Sequence, residues 1–137
     1  MQSNLAFVFP GQGSQAVGML ADLGEQYQVV KQTFAEASEA LGYDLWALIQ
    51  DGPVDDLNQT FRTQPALLAS SVAIWRVWQE LGLEQPALVA GHSLGEYTAL
   101  TAAGSLQLTD AVQLVRARGQ FMQEAVPQGT GAMAAVI

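Results

Sequence analysis

Cysteine is absent from this chain and histidine occurs once, as His92. The first absence excludes disulfides, thiolate metal sites and a cysteine nucleophile. The second excludes a histidine-rich metal cluster. Basic residues are scarce as well: 5 Lys and Arg stand against 13 Asp and Glu, a formal net charge of −8. Binding of nucleic acid rests on clustered Lys and Arg that neutralise phosphates, so this balance argues against it. It argues equally against an anionic membrane surface. Charged residues of both signs make up 13% of the chain, where about 25% is usual. A surface so poor in charge implies cover by a second subunit or by further chain. No basic region precedes the first apolar run, so Met1 to Asn4 does not read as a secretory signal. The most apolar long stretch, Ala66 to Trp78, is broken by Ser70, Ser71 and Arg76, and is too short and too polar to span a bilayer. The expectation is a soluble, cytoplasmic protein.

Half of the 137 residues are hydrophobic, enough for the core of one domain or of one lobe of a larger one. Leu5 to Phe9 is a short apolar run ending at Pro10-Gly11, and reads as a buried strand. Tyr27, Val30, Phe34, Ala37 and Leu41 recur at helical spacing before a stop at Gly42. Asp44 is placed to cap a short helix through Ile49, ended by Gly52-Pro53. Thr63-Gln64-Pro65 opens a long helix to Leu81, with Pro in its tolerated first turn. That helix is apolar nearly all round, so it should be buried on most sides. Ala87 to Ala90 reads as a central strand, followed by a helix over about Leu94 to Ala103. Thr109 is expected to cap a helix to about Ala125, and Ala132 to Ile137 begins a third strand. Strands alternating with helices predict an α/β fold built on a parallel sheet. The chain ends inside that third strand, which reads as a truncation.

The strongest chemical signal is Gly91-His92-Ser93-Leu94-Gly95. It matches G-x-S-x-G, the nucleophile elbow of hydrolase-like sheets. A bare match of five residues is weak, but here a strand ends at Ala90 and a helix begins after Ser93. Two glycines let strand and helix approach closely around a strained turn. The serine hydroxyl then stands at the positive end of a helix dipole, where an alkoxide and an oxyanion are stabilised. The plainer reading is a serine in an ordinary tight turn. His92 adjoins Ser93, yet neighbours at such a turn project apart, so a packing role is expected for it. The base must then come from elsewhere.

Gly11-Gln12-Gly13-Ser14-Gln15-Ala16 also fits the relaxed dinucleotide fingerprint G-x-G-x-x-A, with Glu36 at a ribose-holding distance. The context fails, because Glu36 lies inside a helical pattern rather than at a strand end. The alternatives are a plain strand-to-helix turn, or the second half of an oxyanion hole. In the latter case the backbone N–H groups of Leu94 and Gln12 are the donors.

On the helix that begins near Asp110, the expected apolar stripe is Ala111, Leu114, Val115, Met122 and Ala125. Arg118 falls within that stripe, whereas Arg116 points with Gln113, Gln120 and Gln123. An inward guanidinium is costly unless paired with an anion, and its planar fork suits a carboxylate. Spacing alone leaves two partners open, an internal acid such as Glu96 or a carboxylate on a substrate.

Five segments now stand in order: Phe7-Val8-Phe9-Pro10-Gly11-Gln12-Gly13-Ser14-Gln15, Thr63-Gln64-Pro65-Ala66-Leu67, Gly91 to Tyr97, Arg118-Gly119 with Met122, and Gly129 to Met133. Together they closely resemble the malonyl-CoA:acyl carrier protein transacylases of bacterial fatty-acid synthesis, over essentially the whole chain. The resemblance implies that Ser93 takes malonyl from coenzyme A as an ester and passes it to the phosphopantetheine thiol of the carrier protein. It implies Gln12 and Leu94 as the oxyanion amides and Arg118 as the grip on the free malonyl carboxylate. His92 and Gln64 are supporting candidates. Leu94 resembles the malonyl-selecting form, where methylmalonyl-selecting relatives often carry Gln. A start at Met1 just before the first segment resembles the free-standing enzyme. The implied partners are malonyl-CoA, the carrier protein and the remainder of the same enzyme. A coenzyme A thioester is the substrate, with no permanently bound cofactor and no metal.

The family's chain is about twice as long. Residues 1–137 then correspond to the N-terminal part of the large α/β subdomain, before the ferredoxin-like small subdomain and the general-base histidine. Two rival classes stand beside this reading: a serine esterase or thioesterase, and, for an isolated lobe, a partner-binding module without catalysis.

Overall fold

The computed structural model describes residues 4–127 and 129–131. The chain runs β1 (Ala6–Phe9), α1 (Ala21–Gln26), α2 (Gln28–Leu41), α3 (Leu45–Asp51), α4 (Val54–Leu57), α5 (Thr60–Glu80), β2 (Leu88–Gly91), α6 (Leu94–Ala102) and α7 (Leu108–Ala125). The two strands pair in parallel, with Ala6 opposite Leu88 and Phe9 opposite Gly91. A parallel pair needs a long crossover, and five helices supply it. The result is an α/β arrangement with a small parallel sheet. The expected third strand, Ala132 to Ile137, lies outside the described residues.

The core lies where α2, α5 and α7 meet. Val30, Phe34, Ala37 and Leu41 of α2 pack with Leu68 and Val72 of α5 and with Ala111, Val112 and Val115 of α7, all buried. The helical spacing of the α2 set is what places these side chains on one face. Gly42 ends α2 at φ 79°, and its N–H returns to the Ser38 carbonyl at 2.8 Å. The Asp44 carboxylate accepts from the Ala47 N–H at 2.8 Å and so caps α3 as expected. On the sheet side, Phe7 meets Trp75 and Trp78 edge-on, with ring centroids 5.3 and 4.9 Å apart. These contacts dock β1 on α5. Val8, on the opposite face, is 76% exposed.

Several boundaries differ from expectation. α5 begins at Thr60 rather than Thr63, so Pro65 is its sixth residue and not in the first turn. The Arg62 and Thr63 N–H groups already bond to the Gln59 carbonyl, which starts the helix a turn early. Pro65 lacks a single N–H close to that start, a small loss beside the burial of α5. Residues Thr63 to Ala73 are buried throughout, but Ile74 is 46% exposed. Thr109 does not cap α7: Gln107 holds that position with no side-chain bond, and Thr109 lies within the helix. The two short helices α1 and α4 were below the length at which spacing is informative. Among the described residues, no helix is long and apolar enough to cross a membrane.

Candidate functional site

Ser93 occupies the junction between β2 and α6 with φ 56° and ψ −117°. A non-glycine residue in this region costs on the order of 1–3 kcal/mol and persists only where its surroundings impose it. Gly91 and Gly95 are those surroundings. A Cβ on Gly91 would lie 2.7 Å from the Glu96 nitrogen and closer still to the Gly95 carbonyl. A Cβ on Gly95 would strike the Phe9 carbonyl and approach the Pro10 oxygen to 3.2 Å. Both glycines are therefore required for α6 to start against the ends of both strands. The turn is closed by the Gly95 N–H on the His92 carbonyl at 3.0 Å and the Glu96 N–H on the Ser93 carbonyl at 3.2 Å.

Ser93 is exposed, while Leu94 is buried. As the first residue of α6, Leu94 has an N–H with no acceptor inside the helix. The Gly11 turn sits beside this junction: a Cβ on Gly11 would lie 3.5 Å from the His92 carbonyl. Within that turn Ser14 Oγ donates to the Gly11 carbonyl at 2.8 Å, and Gln15 Oε1 accepts from the Gly13 N–H at 2.8 Å. Gln12 is exposed and its Nε2 donates to Thr60 Oγ1 at 3.2 Å. The fold thus brings the residues around Gln12 and Leu94 to one edge of the sheet.

Arg118 reaches the same edge from α7. Its Nη2 donates to Ser93 Oγ at 3.0 Å, and its Nη1 donates to Gln64 Oε1 at 2.8 Å. The guanidinium carbon lies 5.5 Å from the centre of the Tyr97 ring, close enough for a cation–π attraction. The internal-acid alternative fails: among the described residues the ion pairs are Arg62–Asp56 and Arg76–Glu36, and Glu96 is not one of Arg118's partners. Arg116 turns away, as expected, and donates to the Leu41 carbonyl at 2.9 Å. Glu36, the residue of the dinucleotide pattern, lies inside α2 and is bound by Arg76 at 2.7 Å.

The expected stripe on α7 is corrected in part. Leu108, Ala111, Val112, Val115 and Gly119 face the core, while Leu114 and Met122 are 46% and 37% exposed. The reason is Gly119. Its missing side chain lets α7 meet the backbone of α5, where a Cβ would lie 2.6 Å from the Phe61 Cα. That approach rotates the contact face towards Val115 and Gly119, and moves Leu114, Arg118 and Met122 to its margin. There they line a groove of about 450 Å³ with Tyr97 and Phe121. A larger hollow of about 530 Å³ beside Lys31 and Trp46 contains none of the site residues.

Of the predicted site residues, Ser93, Arg118 and Gln64 are joined by hydrogen bonds, and Gln12 and Leu94 flank them. His92 is exposed, and no hydrogen bond joins it to Ser93 among the described residues. Tyr97 was missed as a site residue. The signal is its position, one helical turn after Ser93 on the short helix that Ser93 precedes. Among the described residues, no cluster of three or more His, Asp or Glu side chains is arranged to hold a metal.

Residues 6–137 match the acyl transferase domain family. The malonyl CoA-acyl carrier protein transacylases of Salmonella typhimurium and Escherichia coli K12 are 65% and 66% identical to the chain over 135 residues. Those residues are 98% of this chain and 44% of each relative, so the chain spans less than half the length of these curated proteins. A solved acyl carrier protein S-malonyltransferase from Vibrio cholerae superposes with a TM-score of 0.91 at 78% identity, covering 93% of this chain and 42% of that one. A malonyl-transacylase solved in complex with a type II PKS acyl-carrier protein gives 0.90 at 65% identity, covering 93% and 41%. With a family match over nearly all its length and a serine turn built as described, this chain belongs to the acyl transferase domain family.

Proposed function

We propose that these residues are the N-terminal part of the large α/β subdomain of a malonyl-CoA:acyl carrier protein transacylase, with Ser93 as nucleophile on a hydrolase-like elbow. Ser93 Oγ attacks the thioester carbonyl of malonyl-CoA, and the carbonyl oxygen takes up negative charge. The backbone N–H groups of Leu94 and Gln12 receive that oxyanion. The carbon–sulfur bond then breaks, and the proton from Ser93 passes through a base to the departing coenzyme A thiolate. The malonyl ester on Ser93 is next attacked by the phosphopantetheine thiol of the carrier protein, which restores the serine. Coenzyme A thioesters are substrates here, and no resident cofactor takes part.

The observation that carries this reading is the guanidinium of Arg118. It lies within hydrogen-bond reach of the nucleophile and is satisfied by neutral groups, Gln64 and Ser93, rather than by a carboxylate. A cation so held at a nucleophile favours an acyl group bearing its own anion over a neutral ester. The relatives' names point to the same acyl group.

The base is expected from the part of the protein beyond these residues, because among the described residues no hydrogen bond joins His92 to Ser93. A positioned base is worth about 10²–10⁴-fold, so residues 1–137 alone should turn over slowly or not at all. The test is intact-mass analysis after incubation with malonyl-CoA, on the full-length protein and on this segment. The full-length protein should gain one malonyl adduct that Ser93→Ala abolishes. An adduct of unchanged yield in the variant would remove Ser93 as the nucleophile.

A further inference from the structure

We propose that Gln64 is the positioning residue that aims Arg118 at the acyl group, and thereby sets the preference for acyl groups carrying a second carboxylate. The proposal rests on the roles given to Ser93 and Arg118 above.

Gln64 is completely buried. A buried primary amide is costly unless both of its ends are partnered, and here both are. Oε1 accepts from Arg118 Nη1 at 2.8 Å, and Nε2 donates to Met122 Sδ at 3.3 Å. The chemistry fixes which end is which. With the amide reversed, its NH₂ would face a guanidinium that can only donate, and its oxygen would face a thioether that can only accept. Met122 stands one helical turn after Arg118 on α7. Gln64 therefore grips two successive turns of α7 from α5, across the crossing that Gly119 keeps tight.

Arg118 has three contacts, and they differ in how long they last. The Ser93 contact changes when Oγ becomes an ester oxygen, a poorer acceptor than the free hydroxyl. The Tyr97 ring sets the distance of the guanidinium from α6 but leaves it free to turn in its own plane. Only the bond to Gln64 persists unchanged through both halves of a transfer. It occupies one N–H of the fork and so decides which edge faces an incoming carboxylate. A neutral amide performs this task without cancelling the charge. A carboxylate at position 64 would hold Arg118 more tightly and neutralise it.

The test uses the full-length protein with Gln64→Met and Gln64→Glu. Losing a hydrogen bond to a charged group corresponds to about a tenfold to hundredfold effect. Gln64→Met, which loses that bond, should lower the ratio of kcat/KM for malonyl-CoA to that for acetyl-CoA by this factor. Gln64→Glu, which keeps the bond but neutralises the cation, should lower the same ratio through the charge. In both, malonyl transfer should fall further than acetyl transfer. A second readout does not depend on turnover: the guanidinium ¹⁵N signals of Arg118 should report slow rotation in the parent and in Gln64→Glu, and fast rotation in Gln64→Met. Gln64→Glu is nearly isosteric, so it carries the test if Gln64→Met does not fold. Unchanged selectivity in both variants, or unchanged Arg118 rotation in Gln64→Met, overturns the positioning role. A parent protein that takes no malonyl on Ser93 overturns the acyl-transfer reading instead, and the rotation measurement still judges the tether.

Discussion

Arg118 Nη2 donates to Ser93 Oγ at 3.0 Å across 25 positions of sequence, from α7 to the strand-to-helix junction. The cation is half-buried, and its other partners are an amide oxygen and the face of an aromatic ring. None of the three cancels its charge. The guanidinium is thus held in place and remains able to receive an anion.

Replacing Arg118 by Ala should therefore impair malonyl transfer far more than acetyl transfer. Partial exposure tempers the value of a buried charge pair, and a loss of about 3 kcal/mol, roughly two powers of ten, is expected for malonyl. The measurement is kcat/KM for both thioesters in the full-length protein, with melting followed in parallel. Equal losses for both substrates together with a lower melting temperature would make Arg118 a structural residue.

Gly95→Ala sets helix propensity against packing. In an exposed helix the change would stabilise by about 1 kcal/mol. Here the new methyl would strike the Phe9 carbonyl, so the chain must part α6 from β1. A net loss of about 2–3 kcal/mol is expected, along with a displaced Ser93. Urea denaturation gives the sign. A variant as stable as the parent contradicts the close approach of helix and strand.

Tyr43 offers a test at alkaline pH. Burial raises its phenol above the ordinary value of 10.0, against a smaller lowering by the guanidiniums of Arg62 and then Arg116. Since the folded value exceeds the unfolded one, the contribution is intact below pH 10.0 and is lost as pH climbs from there through the folded value. The hydroxyl is also buried and, among the described residues, has no hydrogen-bond partner. Tyr43→Phe should be neutral or stabilising by up to about 1 kcal/mol near pH 7, and should flatten the alkaline decline. Denaturant midpoints at about pH 7 and about pH 11 check both. A clear loss of stability near neutrality would show that the hydroxyl has a partner after all.

Much of this molecule is determined by local pattern. The apolar runs of β1 and β2, the spacing of Val30, Phe34, Ala37 and Leu41, the Asp44 cap and the stop at Gly42 are each written within a few residues. The Gly91 to Gly95 segment is equally local: a serine at positive φ between two glycines needs only its neighbours to be recognised. What periodicity could not supply is the start of α5 at Thr60, because a proline five residues later argues for a start nearer to itself. It also misplaced the stripe on α7, because 3.6-residue spacing gives the relative angles of side chains and not which angle meets the core. That choice belongs to Gly119 and the backbone of α5, a contact across the fold. The partner of Arg118 is of the same kind. Spacing alone left it between Glu96 and a substrate carboxylate, and the packing of α7 against α5 and α6 sets Gln64, Ser93 and Tyr97 around the guanidinium and leaves Glu96 outside.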